Sequence, residues 1–133
     1  MRLMGEMVRK YKDDVLLYAG MGPLEFFRMV AALPWVADAW NGQLAEVIKR
    51  PWYTLHKMWA GGDCDDKAVA MACYFEVNQI PWRFVCVGSD IKKPPTHVFC
   101  EADFGSGWVP MDATYPDNKA GLRMRNYPLV VVL

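Results

Sequence analysis

The sequence predicts an α+β fold, with a helical N-terminal half followed by an antiparallel β-sheet, and three observations favour it. First, the region before residue 60 has apolar residues at helical spacing, interrupted by Gly20, Pro34 and Pro51. Second, residues 64–78 form a helical pattern that is apolar almost throughout. Third, the region after residue 81 alternates β-branched and aromatic runs with turn residues. Helices and strands separated along the chain in this way are typical of the α+β class.

The N-terminal half is expected to contain four helices, separated by glycine and proline. Their predicted positions are about 3–18, 24–32, 37–49 and 52–59. A fifth helix, at about 64–78, is the most informative, because one face carries an apolar stripe and the remaining surface is also largely apolar. The stripe consists of Cys64, Ala68, Met71, Ala72 and Phe75. A helix that is apolar nearly all round is usually buried, so we expect it at the centre of the domain.

Four strands are predicted in the second half of the chain. They cover residues 82–88, 96–103, 108–114 and 129–133. A polar, proline-rich loop separates the first two strands, and Phe104-Gly105-Ser106-Gly107 forms a turn between the second and third. The chain contains no linker and no internal repeat. We therefore expect one domain, 1–133, with a helical part at 1–58 and a catalytic helix and sheet at 59–133.

Composition and charge argue against several classes of function. Of the 133 residues, 53% are hydrophobic, and 15 basic side chains balance 15 acidic ones. A chain without a basic patch lacks the electrostatic surface that binds nucleic acids or anionic membranes. The apolar runs are shorter than the roughly 20 residues that span a bilayer, and the N-terminus lacks a signal-peptide core. We expect a soluble, cytoplasmic protein that needs no cofactor and no metal.

Four cysteines lie at positions 64, 73, 86 and 100, and their spacing contains no Cys-x-x-Cys pair. A structural zinc site is therefore not favoured, and four free thiols are expected in a chain without an export signal. The alternative is a cross-strand disulfide. Cys86 and Cys100 would lie roughly opposite each other if strands 82–88 and 96–103 form a hairpin.

The segment Gly61-Gly62-Asp63-Cys64-Asp65-Asp66 is the strongest candidate for chemistry. Asp63 is a typical N-cap and Asp66 suits a capping box, which puts Cys64 at the first helical position. The unpaired N–H groups and the dipole of a helix N-terminus favour a thiolate there. The two glycines are expected to bend the backbone sharply and keep a cleft open. The two aspartates that follow Cys64 raise its pKa by repulsion, and we expect them to be the main obstacle to its reactivity.

His97 and Asp112 are the candidate partners of this thiol. In a hairpin between strands 96–103 and 108–114, a two-residue turn at Gly105-Ser106 makes His97 a diagonal neighbour of Asp112. A turn at Phe104-Gly105 places them directly opposite each other, so both registers bring the pair within reach. His97 would take the thiol proton and return it to the leaving group, while Asp112 would fix the tautomer. Each residue alone is more often structural, but the combination favours catalysis by cysteine.

These residues resemble the transglutaminase-like superfamily of papain-type thiol enzymes, over roughly residues 59–116. The similar motifs are Gly62-Asp63-Cys64-Asp65-Asp66 before an alanine-rich helix, Asn78-Gln79-Ile80-Pro81-Trp82-Arg83-Phe84-Val85, His97-Val98-Phe99-Cys100-Glu101, and Trp108-Val109-Pro110-Met111-Asp112-Ala113-Thr114. The family usually has glycine directly before the position of Ile80. The resemblance implies a nucleophile helix packed on an antiparallel sheet and a Cys64-His97-Asp112 triad. It also implies a hydrolase or acyltransferase (a cysteine protease, amidase, deamidase or transglutaminase) that forms a thioester with a peptide or protein substrate.

An oxyanion hole is also expected at this site. The backbone N–H of Cys64 supplies one donor, and a second should come from an upstream side chain. Trp59 is favoured because its indole N–H is a donor and it lies nearest the loop, although it could equally pack on the central helix. The other eligible side chains are Tyr53, Trp52 and Gln43. Gly62 and Asp63 are expected to line the same site.

Two other interpretations stay open. A non-catalytic transglutaminase-like scaffold would serve as a binding or assembly module, for instance in a phage or another multi-protein particle, and the Met-rich and aromatic-rich helical half would suit a partner surface. A metal site would use Cys64, His97 and Asp112 as zinc ligands.

The other charged residues near these motifs are expected to be structural or solvated. His56 precedes the nucleophile within a predicted helix and is not favoured as the base. Arg83, Lys92 and Lys93 could line a substrate approach, but solvated charges are the favoured interpretation.

Overall fold

The chain has the predicted α+β fold, in which a central helix packs on an antiparallel sheet. The computed structural model describes residues 2–36, 39–40, 43–44, 50–56, 61–121 and 128–132. The helices in these ranges are α1 (Arg2–Tyr11), a 3-10 helix (Lys12–Tyr18), α2 (Pro23–Ala32), α3 (Pro51–Leu55) and α4 (Cys64–Val77). The strands are β1 (Ala39–Trp40), β2 (Gln43–Leu44), β3 (Trp82–Gly88), β4 (His97–Asp103), β5 (Trp108–Met111) and β6 (Leu129–Val132).

The N-terminal half differs from the prediction in two places. The predicted helix 3–18 divides after Tyr11, and its second part winds as a 3-10 helix. The predicted helix 37–49 is wrong where the chain is described, because β1 and β2 pair there as a short antiparallel hairpin. The sequence between these strands is Asn41-Gly42, a dipeptide that strongly favours a two-residue hairpin turn over a helix. Of the predicted helix 52–59, residues 57–59 lie outside the described ranges.

Helix α4 lies at the centre of the fold. Every residue from Asp66 to Phe75 is buried. The N-terminal helices and strands β3 and β4 all pack against α4. A helix with an apolar surface all round is expected to be buried on all sides. The burial of α4 confirms its predicted central position. The helix stops where predicted, since Gln79 adopts a positive φ of 58° and the N–H of Ile80 turns back to the carbonyl of Phe75.

Within the described residues, one antiparallel sheet has the strand order β5-β4-β3-β6. In the β4–β5 hairpin, Cys100 lies opposite Met111 and Asp103 lies opposite Trp108. This register corresponds to the two-residue turn at Gly105-Ser106, which is one of the two alternatives that the sequence predicts. The same hairpin therefore makes His97 and Asp112 diagonal neighbours.

Strand β5 is shorter than predicted, because it ends at Met111 rather than at residue 114. The carboxylate of Asp112 accepts a hydrogen bond from the backbone N–H of Thr114 at 3.2 Å. A side chain that bonds its own backbone two residues ahead replaces the ladder hydrogen bonds with a turn. Asp112 therefore lies one residue beyond the strand, at the start of a loop.

The four cysteines are free thiols, as expected. In the β3–β4 pair, Phe84 lies opposite Cys100 and Cys86 lies opposite Val98. Cys86 and Cys100 are therefore diagonal neighbours rather than directly opposed, and no disulfide joins them. Cys64 is partly exposed, whereas Cys73, Cys86 and Cys100 are buried.

In the described part of the chain, no individual helix combines the length and the apolarity that crossing a membrane requires. Only Leu3–Tyr18 and Pro23–Ala32 taken together reach that length, and they are bent by 102° relative to each other.

Candidate active site

Cys64 occupies the first position of α4, as its sequence context predicts. Asp63 is the N-cap, and its Oδ1 accepts from the backbone N–H of Asp66 at 3.4 Å. The backbone N–H of Asp63 donates in return to Oδ2 of Asp66 at 3.2 Å, which completes the predicted capping box. These reciprocal bonds fix the first turn of α4, so the side chain of Cys64 projects from a rigid helix start.

The two glycines before Asp63 permit close packing rather than the open cleft that was expected. Gly61 has a positive φ of 103°, and a Cβ atom on it would lie 2.5 Å from the carbonyl oxygen of Pro34. A Cβ atom on Gly62 would lie 2.6 Å from Oδ2 of Asp66. Both glycines are buried. The expectation of an open cleft is wrong at these positions, because the space beside each glycine is filled by its neighbours.

His97 and Asp112 form a close pair on the sheet side of the site. Nε2 of His97 lies 2.7 Å from Oδ2 of Asp112, so the ring donates to the carboxylate. Their side chains are 12% and 1% exposed, which keeps water away from the carboxylate and strengthens the bond. Because Nε2 is directed at Asp112, Nδ1 is the nitrogen that can exchange a proton with a thiol.

The thiol lies beside the strand that carries this histidine. The backbone N–H of Val98, the residue after His97, lies near enough to the sulfur of Cys64 to lower the pKa of the thiol. Oδ1 of Asp65 also lies 3.7 Å from the sulfur, where the thiol acts as donor. The N-terminus of α4 and the start of β4 therefore meet at Cys64, although they are 33 positions apart in sequence.

The protein environment favours the protonated form of the Cys64 thiol. The pKa of Cys64 is raised to about 12, mainly by burial and also by the charges of Asp65 and Asp63, against the lowering effect of the Val98 N–H. The expectation that the two following aspartates are the main obstacle is therefore wrong. Desolvation is the larger effect, and the charges that add to it are one residue before and one residue after the thiol.

The carboxylate of Asp112 is held by Thr114, which the sequence reasoning missed. Oγ1 of Thr114 donates to Oδ1 of Asp112 at 2.6 Å, and its backbone N–H donates to the same oxygen at 3.2 Å. The side-chain amide of Asn118 donates to the backbone carbonyl of Asp112 at 2.8 Å. The signal available in the sequence was the spacing Asp-x-Thr, since a hydroxyl two residues after an aspartate commonly closes a turn onto it.

Lys67 is a second missed residue, on the first turns of α4. It is buried, and its ammonium donates to the carbonyls of Leu33 at 2.7 Å and Thr114 at 2.9 Å. Burial lowers the pKa of Lys67 to about 8, opposed by the charge of Asp112. This side chain ties the loop after Asp112 and the end of α2 to the nucleophile helix. A lysine inside an otherwise apolar helix was the sequence signal.

The described part of the chain identifies no second oxyanion donor among the four side chains proposed for that role. Trp59 lies outside the described ranges, and so does the side chain of Gln43. Trp52 and Tyr53 are exposed on α3, and the ring of Trp52 stacks on His56 at a centroid distance of 3.9 Å. Nδ1 of His56 lies 2.9 Å from the carbonyl of Trp52, consistent with the prediction that His56 is structural.

Arg83 is not the solvated charge that was expected. Its guanidinium bonds to buried Glu101 at 2.8 Å and stacks over Trp108 at 4.3 Å. Lys92 and Lys93 are exposed in the loop between β3 and β4, as predicted. Arg83 therefore neutralises a buried carboxylate on the neighbouring strand. This ion pair depends on the register of β3 and β4, which places Arg83 opposite Glu101 and which the local sequence around Arg83 does not reveal.

The zinc hypothesis is wrong for the described part of the chain. No three histidine, cysteine, aspartate or glutamate side chains converge there closely enough to hold a metal ion. Cys64, His97 and Asp112 therefore do not form a ligand set, and Nε2 of His97 bonds to the carboxylate instead.

The sequence matches a family model, that of the transglutaminase-like superfamily, over residues 25–113. The match covers more than half of the chain, so the protein belongs to this superfamily. It begins earlier than the resemblance seen in the motifs and includes most of α2 as well as α4, β3, β4 and β5.

Among solved structures, the fold is similar to calcium-bound LapG of Legionella pneumophila, with a TM-score of 0.51 and 14% sequence identity. The similarity covers 86% of this chain and 63% of LapG, so the chain spans less than two thirds of that structure. At this identity the likeness shows a shared fold. No curated protein sequence matches the chain.

Proposed function

We propose that this protein is a cysteine enzyme that cleaves or transfers at amide bonds through a thioester on Cys64. The supporting observation is the junction at the start of β4. There the sulfur of Cys64 lies near the backbone N–H of Val98, and the adjacent residue His97 has its Nε2 2.7 Å from Oδ2 of Asp112. Membership of the transglutaminase-like superfamily is consistent with such chemistry.

The proposed reaction begins with proton transfer from the thiol of Cys64 to Nδ1 of His97. The thiolate then attacks the carbonyl carbon of the amide, and the C–S bond forms as the carbonyl electrons move onto oxygen. The backbone N–H of Cys64, at the positive end of α4, stabilises this oxyanion. When the C–N bond breaks, the imidazolium of His97 gives its proton to the departing amine, and the acyl group stays on sulfur as a thioester.

The second half of the proposed reaction repeats these roles. Neutral His97 removes a proton from water or from an acceptor amine, which attacks the thioester carbon and releases the thiolate. Water yields a carboxylic acid, and an amine yields a new amide. Asp112 stays ionised throughout, holds the ring through Nε2 and stabilises its cationic form.

The raised pKa of the thiol makes His97 indispensable to this proposal. A thiol with a pKa near 12 is almost entirely protonated at neutral pH. A positive charge on His97 would lower the pKa of the Cys64 thiol, because an imidazolium beside the sulfur favours the thiolate. The proton transfer proposed above therefore gives the reactive form of the site, a thiolate–imidazolium pair.

The same burial of the thiol favours a second candidate function, a non-catalytic binding or assembly module. In that case Cys64 would be a partly buried structural residue, and its thiol would stay protonated near neutral pH. The two candidates differ in one measurable property, which is the reactivity of Cys64 towards electrophiles.

The test is trapping with an electrophilic acyl probe and with a glutamine-mimicking probe, followed by identification of the modified residue. We expect attachment at Cys64 in the wild type and its loss in Cys64→Ala. Cys73→Ala is the matched control, because it removes a buried cysteine from the same helix. Attachment that survives Cys64→Ala unchanged would sink the enzyme proposal. If the label depends on Cys64, adding a primary amine to the reaction with substrate distinguishes acyl transfer from hydrolysis.

A further inference from the structure

Lys67 is a buried charged residue to which the proposed reaction assigns no role. It is 1% exposed and lies three residues after Cys64, and the residues that follow it on α4, 68–75, are all hydrophobic. Burying an ammonium group costs free energy, because the group gives up its hydration. A lysine at such a position depends on its partners, and the partners that the described residues supply border the proposed site.

The ammonium of Lys67 bonds to two segments that are distant in sequence. It donates to the carbonyl of Leu33 at 2.7 Å and to the carbonyl of Thr114 at 2.9 Å. Leu33 lies just after α2, and Thr114 lies in the loop after β5. One side chain thus joins both segments to the first turn of the nucleophile helix.

Leu33 leads directly into a segment that pairs with the nucleophile loop. Trp35 forms a parallel β-bridge with Gly62, two residues before Cys64. Both hydrogen bonds of this bridge are formed, at 3.1 and 3.0 Å. Through Leu33, Lys67 therefore anchors the segment that supports the nucleophile loop.

Thr114 is the residue that holds the carboxylate of Asp112. Its hydroxyl and its backbone N–H both donate to Oδ1 of Asp112, at 2.6 and 3.2 Å, and Oδ2 accepts from Nε2 of His97 at 2.7 Å. A continuous series of hydrogen bonds therefore runs from Lys67 to His97. Lys67, Thr114 and Asp112 are at most 2% exposed, so protein groups rather than water set the geometry of this series.

The charges of Lys67 and Asp112 also interact. Burial lowers the pKa of Lys67 to about 8, and the charge of Asp112 opposes this effect. Coulomb attraction is mutual, so the ammonium in turn stabilises the ionised carboxylate. The proposed reaction needs an ionised carboxylate beside His97, because the carboxylate stabilises the imidazolium.

We propose that Lys67 is a positioning residue of the site. Through the carbonyl of Thr114, its ammonium fixes the loop that holds Asp112 and so sets the orientation of the His97 ring. Its positive charge also keeps the carboxylate of Asp112 ionised. The effect on reactivity rests on the proposed thiol chemistry of Cys64, whereas the effect on the His97–Asp112 bond is independent of it.

The first measurement is made on the His97–Asp112 bond itself. A histidine N–H that bonds to a carboxylate gives a proton NMR signal far downfield of other N–H protons. The chain has two histidines, so His56→Gln leaves His97 as the only source of such a signal. In this background we expect Lys67→Met, which cannot donate a hydrogen bond, to lose or displace the signal. A signal that is unchanged in Lys67→Met, or absent from the His56→Gln protein, overturns the proposal.

The second measurement is the rate at which the acyl probe modifies Cys64 at pH 7. We expect Lys67→Met to lower this rate about tenfold or more, because a small displacement of a reacting group strongly weakens catalysis. The wild type and the variant are compared on the full chain, with the modified residue identified by mass spectrometry.

Tyr74→Phe is the matched control for both measurements. Tyr74 is buried on α4, and its hydroxyl donates to the carbonyl of Met21, so the variant also loses a bond between this helix and a distant segment. Tyr74 lies about 15 Å further along the helix than Cys64. The variant should keep the NMR signal and the probe rate. Equal losses in Tyr74→Phe and Lys67→Met would show a general loosening of α4 and would overturn the specific role.

Folding and the route through Thr114 are tested separately. Cooperative unfolding in urea verifies each variant, and we expect Lys67→Met to fold because an uncharged side chain has no ammonium to desolvate. Lys67→Gln, which is uncharged and one atom shorter, is a second variant and should lose the signal in the same way. In a double-mutant cycle, the rate losses of Lys67→Met and Thr114→Val should combine to less than their product, and a full product overturns the route through Thr114.

The two proposals fail in different ways. If wild-type Cys64 does not react and Lys67→Met still loses the NMR signal, the thiol chemistry is refuted and the positioning role stands. If wild-type Cys64 reacts and Lys67→Met leaves either the signal or the rate unchanged, the chemistry stands and the role of Lys67 alone is refuted.

Discussion

Thr114 holds one oxygen of the Asp112 carboxylate with two hydrogen bonds, from its hydroxyl at 2.6 Å and its backbone N–H at 3.2 Å. The other oxygen bonds to Nε2 of His97. The carboxylate is almost fully buried, so its orientation is set by these bonds rather than by water. The rotamer of Asp112, and through it the orientation of the His97 ring, therefore depends on Thr114.

Thr114→Val should weaken reactivity at Cys64 while preserving the fold. Valine has nearly the same shape but no hydroxyl, which leaves Oδ1 of Asp112 with one fewer donor. We expect the acyl-probe rate to fall by about tenfold and the free energy of unfolding to drop by about 1–3 kcal/mol. Thr114→Ser keeps the hydroxyl and should remain close to wild type in probe rate. Equal rates in the Val and Ser variants would show that the hydroxyl does not position the carboxylate.

His97→Gln should change the pH dependence of Cys64 alkylation. The pKa of Cys64 is raised to about 12, so in a variant without the proposed imidazolium the alkylation rate should climb steadily through pH 9 without a plateau. The wild type should reach a plateau near neutral pH, with a rate about 100-fold above the variant at pH 7. His56→Gln is the matched control and should follow the wild-type curve. Superimposable profiles for wild type and His97→Gln would rule out the thiolate–imidazolium pair.

Asp65→Asn should make Cys64 more reactive at a fixed pH. Asp65 raises the pKa of the thiol both by its charge and by accepting from the thiol. Removing the charge lowers that pKa, and a shift of about one unit increases the thiolate fraction about tenfold. Iodoacetamide rates at pH 8 measure the effect. Asp13→Asn removes an exposed carboxylate from the 3-10 helix and should have no effect, and a slower rate in Asp65→Asn would contradict the assigned role.

The free energy of unfolding of the wild type should rise at alkaline pH, and Lys67→Met should abolish this rise. The pKa of Lys67 is lowered from 10.5 to about 8 in the folded protein. Between these values the unfolded chain binds the proton and the folded chain does not, so the free energy of unfolding rises with pH through this window. Below pH 8 lysine is charged in both states, and the folded state carries the full cost of burying the ammonium.

Urea denaturation at pH 7.5, 9 and 10.5 measures this difference. The wild type should gain stability relative to Lys67→Met as the pH rises, and a constant difference would contradict the lowered pKa. Lys93→Met, which replaces an exposed lysine in the loop before β4, should show a constant difference from the wild type.

Much of the site follows from local patterns in the sequence. A capping box needs only Asp63 and Asp66 three residues apart, and it puts Cys64 at the start of a helix. The pairing of His97 with Asp112 follows from the alternation of a strand and a short turn, because the side-chain period of two fixes which residues share a face. Both inferences involve short separations along the chain, where backbone geometry leaves few alternatives.

Other features depend on contacts that no local pattern encodes. Lys67 is buried because carbonyls from two distant loops meet at its ammonium, and Trp35 lies beside Gly62 because α2 delivers the chain there. The hairpin β1–β2 differs from the predicted helix because the apolar spacing around it fits both structures, and the Asn41-Gly42 dipeptide favours the hairpin.

The sequence by itself determined the order of elements from α4 onwards, the capped thiol and the His97–Asp112 pair, because each arises from the stereochemistry of neighbouring residues. The tertiary structure alone decided how strongly the thiol is desolvated, what holds the carboxylate and which backbone edge borders the nucleophile. These properties are set by which segments pack together, and burial shifts the pKa of Cys64 more than its charged sequence neighbours do.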